Sequence, residues 1–185
     1  MSQLAVYPLT PDRWPDLERL FGPSGAYSGC WCMWPRLSSA EFSANGNAGN
    51  KKGFRQVVRS GSEPGLLAFR GDEPVGWVAV APREEYGRVL RSPLHKPFDT
   101  AEEVWSITCF FIAKPERRSG VAMALLEAAV EFARARGAAV IEGYPVNEKK
   151  SDADMWQGSV QMFERSGFAV AVERKPGRPV MRCYT

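Results

Sequence analysis

Leu4 and Val6 alternate with Gln3 and Ala5, and this period of two predicts a short strand over Gln3–Pro8. Thr10-Pro11-Asp12 then reads as a helix start, with a capping hydroxyl followed by proline in the first turn. Leu17, Leu20 and Phe21 supply the apolar stripe, and Gly22-Pro23 ends the helix. Residues 22–50 are rich in Gly, Ser and Asn and contain the cluster Cys30-Trp31-Cys32-Met33-Trp34; a second helix is predicted over Lys51–Arg59 from Phe54, Val57 and Val58. Two apolar runs, Gly65–Arg70 and Val75–Ala81, flank Gly71-Asp72-Glu73-Pro74 and predict a β-hairpin. Residues 82–103 are polar and carry three prolines. An excursion of that length in a compact domain is usually functional or disordered.

The middle of the chain is the most sharply patterned. Val104–Ala113 is β-branched and aromatic, as a buried strand requires. Gly120–Arg136 places Val121, Leu125, Ala128, Ala129 and Phe132 at helical spacing, with Glu127, Glu131 and Arg134 on the wet face and Gly137 at the end. Val140–Tyr144 is a further strand, so these three elements predict a βαβ unit with a parallel pair. A short helix over Ser159–Ser166 and two strands, Phe168–Val172 and Val180–Tyr184, complete an α/β chain with no repeat and no linker, hence one domain over residues 1–185.

The chain has 185 residues, 44% apolar and 24% charged, with 24 basic against 21 acidic side chains for a net charge of +3. Mixed signs at so low a net charge do not call for a nucleic acid or an anionic membrane as partner. The N-terminus lacks a signal-peptide pattern, and no apolar run approaches the length of a membrane span. The four cysteines read as reduced thiols of a cytoplasmic protein, and one C-x-C without a histidine cluster makes a poor zinc site. His95 is the sole histidine, so any Ser-His-Asp or Cys-His chemistry would have to use it.

Chemistry concentrates between the long strand and the long helix, in Arg117-Arg118-Ser119-Gly120-Val121-Ala122. Free N–H groups at a helix N-terminus attract phosphate, glycine permits close approach, and two arginines add charge. The chain has neither G-x-x-x-x-G-K-[ST] nor G-x-G-x-x-G, which removes the ATP and dinucleotide loops. Arg117-x-x-Gly120-x-Ala122 resembles the R/Q-x-x-G-x-G/A signature of the GNAT N-acetyltransferases, and Phe163-Glu164-Arg165-Ser166-Gly167-Phe168 is similar to that family's Y-E-K-L-G-F segment. The order of helices, hairpin, long strand, signature, helix and closing strands matches the family over nearly the whole chain.

That resemblance implies the GNAT fold, a mixed sheet of six to seven strands with helices on both faces, and acetyl-CoA as co-substrate. It implies a pantetheine arm along the main chain of Phe110 and Ile112, a main-chain N–H near Phe111 on the thioester carbonyl, and a pyrophosphate on Arg117, Arg118, Ser119, Gly120, Val121 and Ala122. An amine then attacks the thioester without an acyl-enzyme, and must arrive neutral, so a base is expected. Glu142 matches the position of a catalytic glutamate in some members, and Glu103 at the start of the signature strand is the alternative. Phe163 falls beside the cofactor where many members carry an acidic tyrosine, and has no proton to give; Tyr144 is a conceivable substitute. Trp156 stands at about the spacing of a family asparagine.

Acceptor specificity in this family comes from the regions matched here by Cys30–Trp34, residues 82–103 and Pro176–Pro179. Trp31 and Trp34 are expected either to wall an acceptor pocket or to anchor the loop to the core. The expected acceptor is a small-molecule amine, with a protein N-terminus or lysine as the alternative. A non-catalytic acyl-CoA sensor is the rival reading that Phe163 keeps open. Family members often form homodimers, and no interface is legible in this chain.

Overall fold

The computed structural model describes residues 3–147 and 152–185, without the side chains of 152–154. Among the described residues, seven strands form one sheet: β1 (Leu4–Pro8), β2 (Gly65–Arg70), β3 (Glu73–Pro82), β4 (Val104–Ile112), β5 (Val140–Gly143), β6 (Ala169–Glu173) and β7 (Pro179–Tyr184). Their spatial order is β1-β2-β3-β4-β5-β7-β6. Among these strands the central β4–β5 pair is parallel and the other pairs are antiparallel, and an isolated parallel bridge joins Val146 to Ser159.

The helices are α1 (Trp14–Phe21), α2 (Ser39–Arg59), α3 (Gly87–Arg91), α4 (Val121–Arg134) and α5 (Val160–Arg165). On one face of the sheet, Val121, Leu125, Leu126, Ala129 and Ala133 of α4 pack on Leu66, Val78, Val80, Ile107 and Ile141, joined by Phe163 and Phe168. On the other, Trp14, Leu17 and Phe21 of α1 and Phe54 and Val58 of α2 cover Leu67, Phe69 and Trp77. The two covered faces give the α/β mixed-sheet architecture that the resemblance implies.

The largest departure from the sequence reading is α2, which begins at Ser39, twelve residues before Lys51. Ser38 and Glu41 form a reciprocal capping box, and the helix kinks at Gly46, whose φ is +57°. The Asn side chains that discourage helix from sequence are used elsewhere: Asn47 accepts from Trp31 Nε1 at 2.6 Å, and Asn50 donates to the Gly29 carbonyl at 3.0 Å. Within the excursion the structure adds the short helix α3.

Candidate functional site

The loop after β4 brings the signature to the N-terminus of α4. Lys114–Glu116 makes a turn of 3-10 helix, Arg118 has φ +65°, and Gly120 caps α4 at φ +86°. No side chain caps the helix: the Ser119 hydroxyl turns away to the Glu116 carbonyl at 2.7 Å, and Glu116 is held by Arg70. The first N–H groups of α4 therefore keep their partial positive charge, beside a loop whose residues 117–120 are all exposed. A Cβ on Gly120 would meet nothing within 4 Å, so the backbone is open to a ligand from that side. This cradle fits a pyrophosphate, with Arg117, Arg118 and the N–H groups from Gly120 to Ala122 as its donors.

The same loop hangs from a strand that leaves its neighbour. β4 pairs with β5 from Val104↔Val140 to Ile107↔Gly143 and no further. Thr108 follows immediately and is the bulged residue opposite the Ala79/Val80 step of β3. A bulge bends and twists its strand, so its position at the last paired residue accounts for the split. From Thr108 to Ile112 β4 is bonded only to β3, leaving one main-chain edge without a strand partner among the described residues. That edge is what an extended amide-bearing arm such as pantetheine would pair with. Phe110 and Ile112 point their side chains into the α4-side core, and Phe111 packs on Phe21 across the sheet at 5.5 Å. The register of β3 and β4 carries no sequence signal for the bulge.

Phe163 of α5 wedges the split open. It is fully buried, edge-on to Phe168 at 4.9 Å and Phe110 at 6.3 Å, and a methyl built on Gly143 would overlap its ring. Phe163, expected beside the cofactor, presents a ring that is part of the core.

Glu142, expected as a base, is buried too. Its side chain is 1% exposed; Oε1 accepts from Arg182 Nε and Nη2 at 2.9 and 2.7 Å and from Arg83 Nη1 at 3.2 Å, while Oε2 accepts the Tyr144 hydroxyl at 2.9 Å. Both oxygens are committed, so neither is directed at an incoming amine. Arg182 also binds Asp99 through two nitrogens, closing a charge-balanced network of two arginines and two carboxylates. Tyr144 is equally committed, since its hydroxyl shares a 2.7 Å bond with Ser106, and burial and the Glu142 charge push its pKa well above the usual phenol value. Arg83, Arg182, Ser106 and Asp99 were not nominated from sequence; they lie far from Glu142 along the chain, and residue type alone does not pair them. Glu103 is exposed, with φ +52°, at the closed end of the β4–β5 pair. It therefore stands at the end of the pair opposite the split.

On the α1–α2 side, residues 83–103 fold over the split. Tyr86, Val89, Tyr144 and Val180 make a small core of their own. Trp31 is 2% exposed and stacked on Trp14 at 6.0 Å, and so anchors the loop to the core. Trp34 remains 38% exposed, with the Arg88 guanidinium 3.6 Å above its ring. Cys32 accepts from Trp77 Nε1 at 3.0 Å, and contact with Cys109 together with burial pushes its thiol well above the usual range. It is a packing residue, not a nucleophile. Trp156 is partly exposed on the turn before α5.

The family model for acetyltransferases of the GNAT family matches residues 30–168. Among curated proteins, no sequence matches the chain. Solved structures share its fold over nearly its full length. PaiA N-acetyltransferase from Thermoplasma acidophilum, in complex with coenzyme A, is 12% identical, with 99% of each chain covered and a TM-score of 0.57. Ribosomal-protein-alanine N-acetyltransferase from Brucella melitensis is 18% identical, with 98% of this chain and 99% of that one covered and a TM-score of 0.56. A GNAT-family acetyltransferase from Streptococcus pneumoniae is 15% identical, with 99% and 100% covered and a TM-score of 0.57. With the family model spanning most of the sequence, the chain belongs to the GNAT acetyltransferases, enzymes that draw their acetyl group from acetyl-CoA.

Proposed function

We propose that the protein acetylates the primary amine of a small molecule, by direct attack of that amine on the thioester. The observation that carries this reading is the continuity of the uncapped α4 N-terminus with the unpaired edge of β4. Acetyl-CoA supplies an activated acyl carbon; the protein supplies position and polarity. Arg117, Arg118 and the N–H groups from Gly120 to Ala122 hold the phosphates, and the free edge of Thr108–Ile112 aligns the arm. An N–H of the bulge at Thr108–Cys109, in place of Phe111, is the donor to the thioester oxygen, since a bulge leaves a ladder group unmatched.

The amine enters from the α1–α2 side. Residues 83–103 roof that side and are pinned by Arg174 to the β6–β7 hairpin and by Asp99 to Arg182. A roofed approach suits a small amine better than a protein acceptor, such as the ribosomal-protein alanine in the name of the Brucella relative. Neither Glu142 nor Glu103 is available as base, so the amine sheds its proton to water before attack. Two measurements test this. Acetyl-CoA with a panel of small primary amines is expected to release thiol. Its kcat/KM should rise about tenfold per pH unit towards the amine's own pKa. A profile that levels off near pH 5–6 would identify a protein carboxylate as base and contradict the reading.

A further inference from the structure

We propose that Arg70 and Glu116 are positioning residues of the cofactor site: they hold the Ser119 hydroxyl off the N-terminus of α4, which keeps the N–H groups of Val121 and Ala122 for the phosphates of acetyl-CoA. The inference rests on the reading above that the phosphates bind there. A serine hydroxyl readily accepts from the backbone N–H two or three residues further on, and at a helix start that bond is a cap. Counted from Ser119, those N–H groups belong to Val121 and Ala122, the first two residues of α4. A hydroxyl seated on them would satisfy the donors that a phosphate needs.

The structure places that hydroxyl elsewhere. Its one proton is offered to the Glu116 carbonyl at 2.7 Å and to Glu116 Oε2 at 3.1 Å, and its oxygen accepts from Arg70 Nη2 at 3.4 Å. Arg70 in turn donates to the same carboxylate oxygen through Nε at 2.7 Å. Arg70, Glu116 and Ser119 thus close a ring of three mutual hydrogen bonds, and α4 starts without a side-chain cap. The Arg70 bond above all holds the Glu116 carboxyl below its ordinary pKa, so that it stays an acceptor. Arg70 reaches the loop from another part of the sheet: it ends β2, where it faces Leu4 of β1 and Glu73 of β3. The Ala113 N–H donates to the Val75 carbonyl at 3.0 Å and brings the loop onto this hairpin. Arg70 and Glu116 act on the cofactor through Ser119 and need not touch it.

A double-mutant cycle separates this role from a merely structural one. CoA is titrated by calorimetry into the full chain and into Ser119→Ala, Glu116→Ala and the double variant, with Arg70→Gln as a second background for Ser119→Ala. Removing the hydroxyl is expected to tighten binding about fivefold more in either background than in wild type, because only there does the hydroxyl fall back on the helix. Comparison within one background cancels the charge removed with Glu116 or Arg70. Amide exchange on the protein without CoA reads the same event: Val121 and Ala122 are expected to slow in Glu116→Ala and to be released again in the double variant. Equal factors in all backgrounds would overturn the proposal. So would Val121 and Ala122 amides that exchange more slowly in wild type than in Ser119→Ala, a comparison that needs no Glu116 variant to fold. Binding of CoA to Gly120→Glu as tight as to wild type would instead strike the preceding reading and leave the exchange pattern as it stands.

Discussion

At the scale of single residues, the account turns on Glu142. A general base at this position would tolerate Glu142→Gln in folding and lose turnover. A carboxylate that neutralises two buried arginines would not, because removing it strands Arg83 and Arg182 with only Asp99 between them. Breaking a buried pair costs about 3–5 kcal/mol. We expect Glu142→Gln to lose a loss of that order in chemical denaturation, and a variant of unchanged stability with abolished turnover would restore the base. Tyr144→Phe is the milder probe: it removes the donor to Oε2 and the bond to Ser106, at about 1–2 kcal/mol. The sequence made Glu142 legible as a strand carboxylate near the signature, but not its partners. Arg83 and Arg182 stand 59 and 40 residues away, so pairing depends on the tertiary register.

At the scale of elements, the split between β4 and β5 depends on a glycine meeting a ring. Gly143 is the last paired residue of β5, and its missing side chain is the space that Phe163 fills. Gly143→Ala should cost about 1–3 kcal/mol through overpacking, and it should shift the Phe163 ring signals. Unchanged stability would mean that the wedge yields freely. The βαβ unit and the β2–β3 hairpin were legible in advance because their signals are local: a continuous apolar run, helical spacing, a Gly-Asp turn. The first half of α2 was hidden because Asn45, Gly46, Asn47 and Asn50 disfavour helix by propensity. Tertiary bonds from Trp31 and Gly29 override that preference. The signature loop was legible as chemistry, whereas the bulge at Thr108 depends on strand register alone.

At the scale of the whole molecule, burial of one imidazole sets an acid limit on stability. The His95 pKa is about 4 in the folded chain against 6.5 for a free imidazole, so the unfolded chain binds more protons between these values. Stability is complete above about pH 6.5 and falls as pH drops towards 4. Asp99, lowered by Arg182, and Glu116, lowered by Arg70, add their losses only below the ordinary carboxylate range. Between pH 7 and pH 5, then, the fall in unfolding free energy, up to about 2 kcal/mol, should belong to His95 and largely vanish in His95→Phe, which keeps a ring on Tyr144. An unaltered slope in that variant would assign the loss elsewhere. The central claim concerns the join of signature loop and split strand, and calorimetric titration of acetyl-CoA into wild type and Gly120→Glu tests it most directly. The new side chain enters open space, at about 1–2 kcal/mol for a left-handed backbone, so the variant should fold while setting a carboxylate where phosphates belong. The account predicts micromolar binding by wild type and at least about a hundredfold weakening in Gly120→Glu. Equal affinity in the two proteins would place the cofactor elsewhere and contradict it.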